Sequence, residues 1–496
     1  MKHKTAKMKL LISLTSILAL NSFANENMPT LAMKTNSQIL YNQTPDSIEN
    51  ITEMFTKGML YTRLRSNTFH LDYKDNNLAT DHLISALGAS LVYKSATLSN
   101  FDFTAGAYFS IAEFWDRGDD DVAHLGKGKD LISRYDYTNS GNNHMALLGQ
   151  AYLRYSGIDK TQISLGRQLV ETFYTKSNDT KIIPNTFDGL VATTKIVPDT
   201  NIKLAYLQEQ KLRDHTTAHS VLMYGDANSS SQERPEWDEN DDSAMHKGFK
   251  YSALKAAGKP TDAPLIVSDI KNRSIKDLNL DASMYMVPEL LSQTMLEANY
   301  KINFDGFSVS PGARYIKQFD NGAGAVAGAA LSGTLAGKTG ASGGYKDAAS
   351  LESQMIAARV VTKVQNYKIN LGYTNILDEA DLVTPWRGFP TAGYTRSMAR
   401  YNWKANTKSY RLELVRNANS KGIYKDIFTQ ASVMYMDADE AKGGKDEYYY
   451  YLGLVQNIPS LVNLQWRLRL GYAQHVDSEY TGKNNLDSRF EVNYLF

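Results

Sequence analysis

The sequence contains no cysteine: 0 in 496 residues. That excludes disulfides and thiolate metal sites, so stability must come from a large hydrogen-bonded framework. A strong charge of either sign is also missing, with 54 Lys+Arg against 53 Asp+Glu. Nothing in that balance points to nucleic acid or to a charged membrane surface. Long apolar runs are absent beyond the first 24 residues, and none approaches the ~20 residues of a spanning helix. A chain with these absences is either water-soluble or a barrel, because only a closed barrel satisfies every backbone group in lipid without long apolar runs.

The N-terminus narrows the choice. Lys2, Lys4, Lys7 and Lys9 precede an apolar run from Leu10 to Leu20, and Ser22-Phe23-Ala24 is a small-x-small cleavage site. This is the pattern of a secretory signal peptide over residues 1–24. Its removal takes away four lysines and no acid, so the 54 basic residues fall to 50 against 53 acidic. Residues 25–58 are then a periplasmic leader, in which Ile48, Ile51, Met54 and Phe55 predict a short amphipathic helix over Asp46 to Lys57.

What the sequence does have is alternation. Phe490, Val492, Tyr494 and Phe496 are apolar at every second position, with Arg489, Glu491 and Asn493 between them, and the chain stops on an aromatic. The same period recurs at Leu60–Arg65, Phe101–Ala107, Leu278–Met286, Leu296–Asn303, Lys368–Tyr373 and Gln465–Tyr472. Side chains of a strand alternate faces, so each segment has one oily and one polar side. With 31 Tyr and 17 Phe, the pattern fits strands between lipid and a wet lumen, with aromatic girdles at both interfaces.

Connections come in two sizes. Asp305-Gly306, Gln365-Asn366 and Asn457-Ile458-Pro459-Ser460 suit tight turns. Residues 115–145, 210–275 and 320–345 are long and polar or rich in small residues. Short and long links in alternation predict an all-β, up-and-down antiparallel transmembrane barrel over residues 59–496, with short periplasmic turns and long extracellular loops. At roughly 25 residues per strand and its link, 16 or 18 strands are expected.

Arginines opposite the apolar faces are candidate lumen residues, because an arginine facing lipid at mid-membrane costs roughly 2–4 kcal/mol. They are Arg63, Arg65, Arg467, Arg469, Arg400 and Arg411, with Glu413 and Glu491 as acidic neighbours. The first and last strands of a barrel are neighbours, so Arg63, Arg65, Arg467 and Arg469 would form one basic stripe. Such a stripe either steers anionic solutes or is ordinary lumen polarity balanced by those acids.

Other motifs carry little. Arg117-Gly118-Asp119 is only three residues long. Asp119, Asp120 and Asp121 are weak Ca²⁺ candidates without the spaced ligands of an EF-hand. The glycine-rich Gly322–Gly328 lacks the Lys-Ser/Thr of a P-loop. No Ser–His or Cys–His spacing points to an enzyme, and His475, at the end of a late strand, is the one histidine worth testing. No cofactor is expected.

Three stretches resemble OprD-type outer-membrane porins: Arg63-Leu64-Arg65; Ser164-Leu165-Gly166-Arg167-Gln168-Leu169; and Ile183-Pro184-Asn185-Thr186-Phe187-Asp188-Gly189. In that family a "GRQ" strand end precedes an "LP-x-TF-x-G" segment. Members often carry Arg before the latter; this sequence offers Lys181. The resemblance implies 18 strands, passive passage of small hydrophilic and often carboxylate-bearing solutes, and a lumenal basic ladder at Arg63, Arg65, Arg467 and Arg469, extended to Arg400 and Arg411. It also implies an inward loop near 170–186, where Arg167, Lys181, Glu171 and Asp179 would line the pore and oppose basic and acidic walls. The expected setting is the Gram-negative outer membrane. Expected partners are its lipid and lipopolysaccharide, and the insertion machinery reading Phe490, Val492, Tyr494 and Phe496. The expected state is monomer or homotrimer. A structural or adhesive surface barrel, and less so a barrel enzyme, are the alternatives.

Overall fold

The computed structural model describes residues 33–496 except 42, 44, 76–78, 113–128, 178, 227–243, 389–392, 419–425 and 462. The secretory segment 1–24, the Arg117-Gly118-Asp119 tripeptide and the Asp119–Asp121 run lie outside the described residues.

Period-2 alternation becomes a single sheet. Its strands are β1 (Met59–Tyr73), β2 (His82–Lys94), β3 (Phe101–Ile111), β4 (His144–Ile158), β5 (Thr161–Gln168) and β6 (Thr186–Thr194). Next come β7 (Thr200–Lys211), β8 (Leu265–Asn272), β9 (Leu278–Val287), β10 (Leu291–Tyr300), β11 (Phe307–Asp320) and β12 (Ser353–Val364). The last six are β13 (Tyr367–Ile376), β14 (Thr407–Arg416), β15 (Ile427–Asp437), β16 (Glu447–Asn457), β17 (Leu464–His475) and β18 (Asn485–Leu495). Each pairs antiparallel with its sequence neighbours. β18 returns to β1 in a register from Arg63↔Leu495 to Tyr73↔Asn485, which closes an 18-strand ring without edges.

The outer face is apolar. Leu165, Leu296 and Leu371 are 61%, 54% and 55% exposed, while the inward Tyr61 and Arg63 are 0% and 1%. Aromatics gather at two levels. Near the rim carrying the long loops, Tyr373, Tyr410, Tyr435, Tyr448, Tyr450 and Tyr472 run around β13–β17, with successive centroids 4.9–6.5 Å apart. Near the short-turn rim lie Phe101–Tyr155, Phe304–Phe307 and Tyr494–Phe496. These are the two girdles of a membrane barrel.

The expected tight turns form. Gly306 takes φ 79°, which a turn at Asp305-Gly306 requires, and Gln365 takes φ 48°. Three elements differ from expectation. The leader helix is only α1 (Ile51–Thr56), capped by the Asn50 side chain, because Ile48 is drawn into a short parallel bridge with the turn after β2. Phe55 packs on the outward Phe103, so α1 lies outside the rim. The small-residue stretch 320–345 is not a free loop: Ala323, Ala327, Ala329 and Leu335 are buried in the core. Arg400, expected on a strand, sits in the 377–406 connection, which turns inward.

That core lies inside the ring. The described residues of loops 169–185, 321–352 and 377–406 fold into the lumen, where Tyr174, Tyr285 and Trp386 meet edge to face. The Tyr285 hydroxyl donates to Val383 O at 2.5 Å. A barrel of this width leaves a channel unless something fills it; here the loops fill part of it.

Candidate pore constriction

Parity aims three lumen rows across the β17–β18–β1 seam. Gln465, Asn493 and Arg65 share one row; Arg467, Glu491 and Asn67 the next; Arg469, Arg489 and Phe69 the third. Glu491, 1% exposed, is bracketed by Arg469 in direct contact and Arg467 at 3.6 Å. Arg489 closes on Asp487 through two hydrogen bonds at 2.8 and 2.5 Å.

Loop 169–185 is fastened to this wall by its one central acid. Asp179 Oδ1 accepts Arg63 Nη2 at 2.6 Å and Arg65 Nη1 at 3.1 Å. Arg65 also donates to the carbonyls of Asp179 (3.2 Å) and Ile182 (3.3 Å). Arg63 and Arg65 thus anchor the loop, and their charge is shared with Asp179. Glu171 holds the loop's own turn, accepting Ser177 N at 2.9 Å.

Above the pinned loop lies a cavity of about 340 Å³. Its lining joins wall residues Arg469 and Arg489 to loop residues Lys129, Lys181, Arg213, Arg387 and Arg396, with Asp130 as the one acid. Asp130 meets Arg213 at 2.8 Å, Arg387 at 3.6 Å and Lys181 at 3.8 Å. Burial alone would raise the Asp130 carboxyl; Arg213, Lys181 and Arg387 outweigh it and hold it well below the usual range. Lys181 moves the other way: burial, then Arg489, push its ammonium well below 10.5. Its Nζ has no hydrogen-bond acceptor and rests 3.8 Å over the Phe69 ring.

The opposite wall carries a second charged group. Glu297 of β10 contacts Arg314 of β11, and it meets Arg359 of β12 at 3.2 Å. Both guanidiniums lie on Tyr394, at 4.6 and 4.3 Å from its centroid. Nearer the short-turn rim, Arg359, Lys363, Lys368, Asp281 and Glu297 help line a space of about 330 Å³.

The remaining expected residues fall as follows. Arg411 contacts Glu413, which also accepts Gln430 Nε2 at 2.5 Å. Arg400 pairs with Glu447, reaching the wall from a loop. Arg167 is not in the lumen. It alternates with the inward Gln168 and shares parity with the exposed Leu165; its two bonds to Asp188 of β6, at 2.7 and 2.6 Å, neutralise it on the outward face. His475 Nε2 lies 3.8 Å from Glu447, a lumen-wall contact. Arg314, Arg359, Lys363 and Arg489 take inward positions by strand parity; Arg213, Arg387 and Arg396 lie on loops and carry no periodic signal.

No family model matches the sequence, and no curated protein matches it. Solved structures do match it. Acinetobacter baumannii OccAB2 is 18% identical, covering 90% of this chain and 99% of its own, with a TM-score of 0.66. A BenF-like porin from Pseudomonas fluorescens Pf-5 is 12% identical over 89% and 99%, TM-score 0.66. Pseudomonas aeruginosa OpdK, solved with vanillate, is 11% identical over 88% and 98%, TM-score 0.64. The chain has the fold of these porins. In this chain the inward loop meets the first strand beside the closing seam, through Asp179, Arg63 and Arg65.

Proposed function

We propose that this protein is a passive outer-membrane pore of the OprD type for small hydrophilic solutes, favouring those that bear a carboxylate. The observation that carries the reading is the 340 Å³ cavity in which seven cationic side chains face one acid. A low-dielectric lumen focuses that potential, and a carboxylate satisfies guanidinium donors in a fork geometry. Arg467, Arg469 and Arg489 supply the wall side of the path, and Lys181 the loop side. Asp179 is committed to the clamp with Arg63 and Arg65, which leaves Glu171 as the loop acid open to solvent, so solutes meet charges of both signs. OpdK was solved with vanillate, a carboxylate, which fits the same chemistry. No covalent step and no energy source are required.

The test is reconstitution of the purified barrel in a planar bilayer under a salt gradient. Stepwise conductance with a reversal potential on the anion side is expected, reduced in a graded way by added benzoate-type carboxylates. A folded barrel that never conducts favours a structural or adhesive role instead.

A further inference from the structure

The lower end of the basic path is occupied by the chain's own leader. Residues 33–41 turn back on themselves: Lys34 N bonds Gln38 O at 2.9 Å, Ser37 N bonds Lys34 O at 2.9 Å, and Met33 bridges Ile39. Ser37 stands at the apex with φ 64°. This hairpin is not outside the barrel. Ser37 and Ile39 are 1% and 6% exposed, and Ile39 packs with Tyr61, Ile182 and Ile183, between wall and inward loop.

Its seat is the basic stripe itself. Ser37 O accepts Arg63 Nη1 at 2.9 Å. The Ser37 hydroxyl donates to Gln465 Oε1 at 2.9 Å, and Gln465 Nε2 returns a bond to Lys34 O at 3.2 Å. Tyr41 stands edge-on to Tyr61, 4.9 Å between centroids. A solute descending from Arg469 past Arg467 meets this hairpin before it reaches the short-turn rim.

The mode of attachment matters. The inward loop is fixed at both ends by strands and held by ion pairs to Asp179. On its C-terminal side the hairpin leads to Ser47–Ile48, which pairs with Thr97–Leu98, and to α1. Its other contacts are single hydrogen bonds, one of them from the Arg63 guanidinium, together with the Ile39 anchor and Tyr41 against Tyr61 and Lys94, and none is an ion pair. Arg63 gives the hairpin one arm of its guanidinium, a donor that an anionic solute would compete for.

We infer that residues 33–41 are a tethered plug that occludes the periplasmic end of the basic path and withdraws to open it. The inference rests on the pore reading above. It is tested on the full chain, a chain lacking residues 33–41, and a Ser37→Cys/Gln465→Cys pair, all in planar bilayers. The protein has no other cysteine, so oxidation can form one link only. Loss of the hairpin should raise unit conductance about two-fold, since it removes an obstruction at the narrow part of the lumen. The cysteine pair should stay in the low-conductance state when oxidised and show larger openings when reduced. Equal conductance with and without the hairpin overturns the plug while leaving the pore reading intact. If the shortened chain does not fold, identical oxidised and reduced records overturn it. If neither full nor shortened chain conducts, both readings fall.

Discussion

Arg63 and Asp179 lie 116 residues apart in sequence and 2.6 Å apart in the folded chain. That one contact joins the first strand of the ring to the loop that narrows it. Because Arg65 shares the same carboxylate oxygen, the loop is held by a buried group of two cations and one anion. Removing one partner of such a buried group costs roughly 3–5 kcal/mol, most of it from the uncompensated charge left behind.

Asp179→Asn should therefore release the loop without unfolding the barrel. Raised conductance noise and faster proteolysis within 169–185 are the expected readouts. A variant as quiet and as resistant as the parent would show that the loop is held by its aromatic packing alone.

The wall arginines should act non-additively. Either Arg467→Gln or Arg469→Gln leaves Glu491 with one cation, and the double change leaves it with neither close partner. Residues sharing one partner couple by roughly 0.5–3 kcal/mol. The reversal potential should move toward cations slightly in each single variant and far more in the double one. Equal and additive shifts would mean that the two arginines do not share Glu491.

Lys181 should give selectivity a pH dependence. Burial and then Arg489 lower its folded-state pKa well below 10.5, so its charge is present below that lowered value and is lost as pH rises through it. Anion preference should decline on raising pH, starting below 10.5, and Lys181→Gln should abolish that part of the decline. A flat profile in the parent would remove Lys181 from the conduction path.

A second pH effect lies on the acid side. His215 Nδ1 and His219 Nε2 are 2.6 Å apart and buried in the segment 212–226 that follows β7. Burial lowers His219 to about 4 and His215 well below 6.5, each further opposed by neighbouring cations. A base with a depressed folded-state pKa takes up protons on unfolding, so loop stability falls as pH drops below the unfolded value of 6.5. Hydrogen exchange in this loop should accelerate between pH 6.5 and 4, and His215→Gln/His219→Gln should flatten that response.

The ring itself was readable from alternation, because one buried and one lipid-facing side impose period 2 on every strand. Leu60–Arg65 and Gln465–Tyr472 gave both faces correctly, and with them Arg63, Arg65, Arg467 and Arg469. Arg167 was misread because the short motif around it carries no face information by itself; the neighbouring Gln168 and Leu165 did carry it. Arg400 reaches the wall from a connection and not from a strand, because the alternation of Ala399, Tyr401 and Trp403 arises without a strand partner. Arg213, Arg387 and Arg396 reach the cavity from loops, where no period exists to place a side chain. The leader hairpin has the same cause: its seat combines Arg63 and Tyr61 of β1, Ile182 of the inward loop and Gln465 of β17, which only the closed ring brings together.

The seam of the ring has a kinetic consequence. Thr62 bonds Phe496, Ser37 bonds Gln465 and Arg65 bonds Asn493, at sequence separations of 434, 428 and 428. Contacts of such contact order form only after the largest possible loop has been closed, which slows folding. The Asn493 and Phe496 contacts need β18 and the chain end, and the Gln465 contact needs β17. A premature stop anywhere before β18 therefore leaves an open sheet with two bare edges, not a smaller barrel, and quality control should treat such chains as misfolded products.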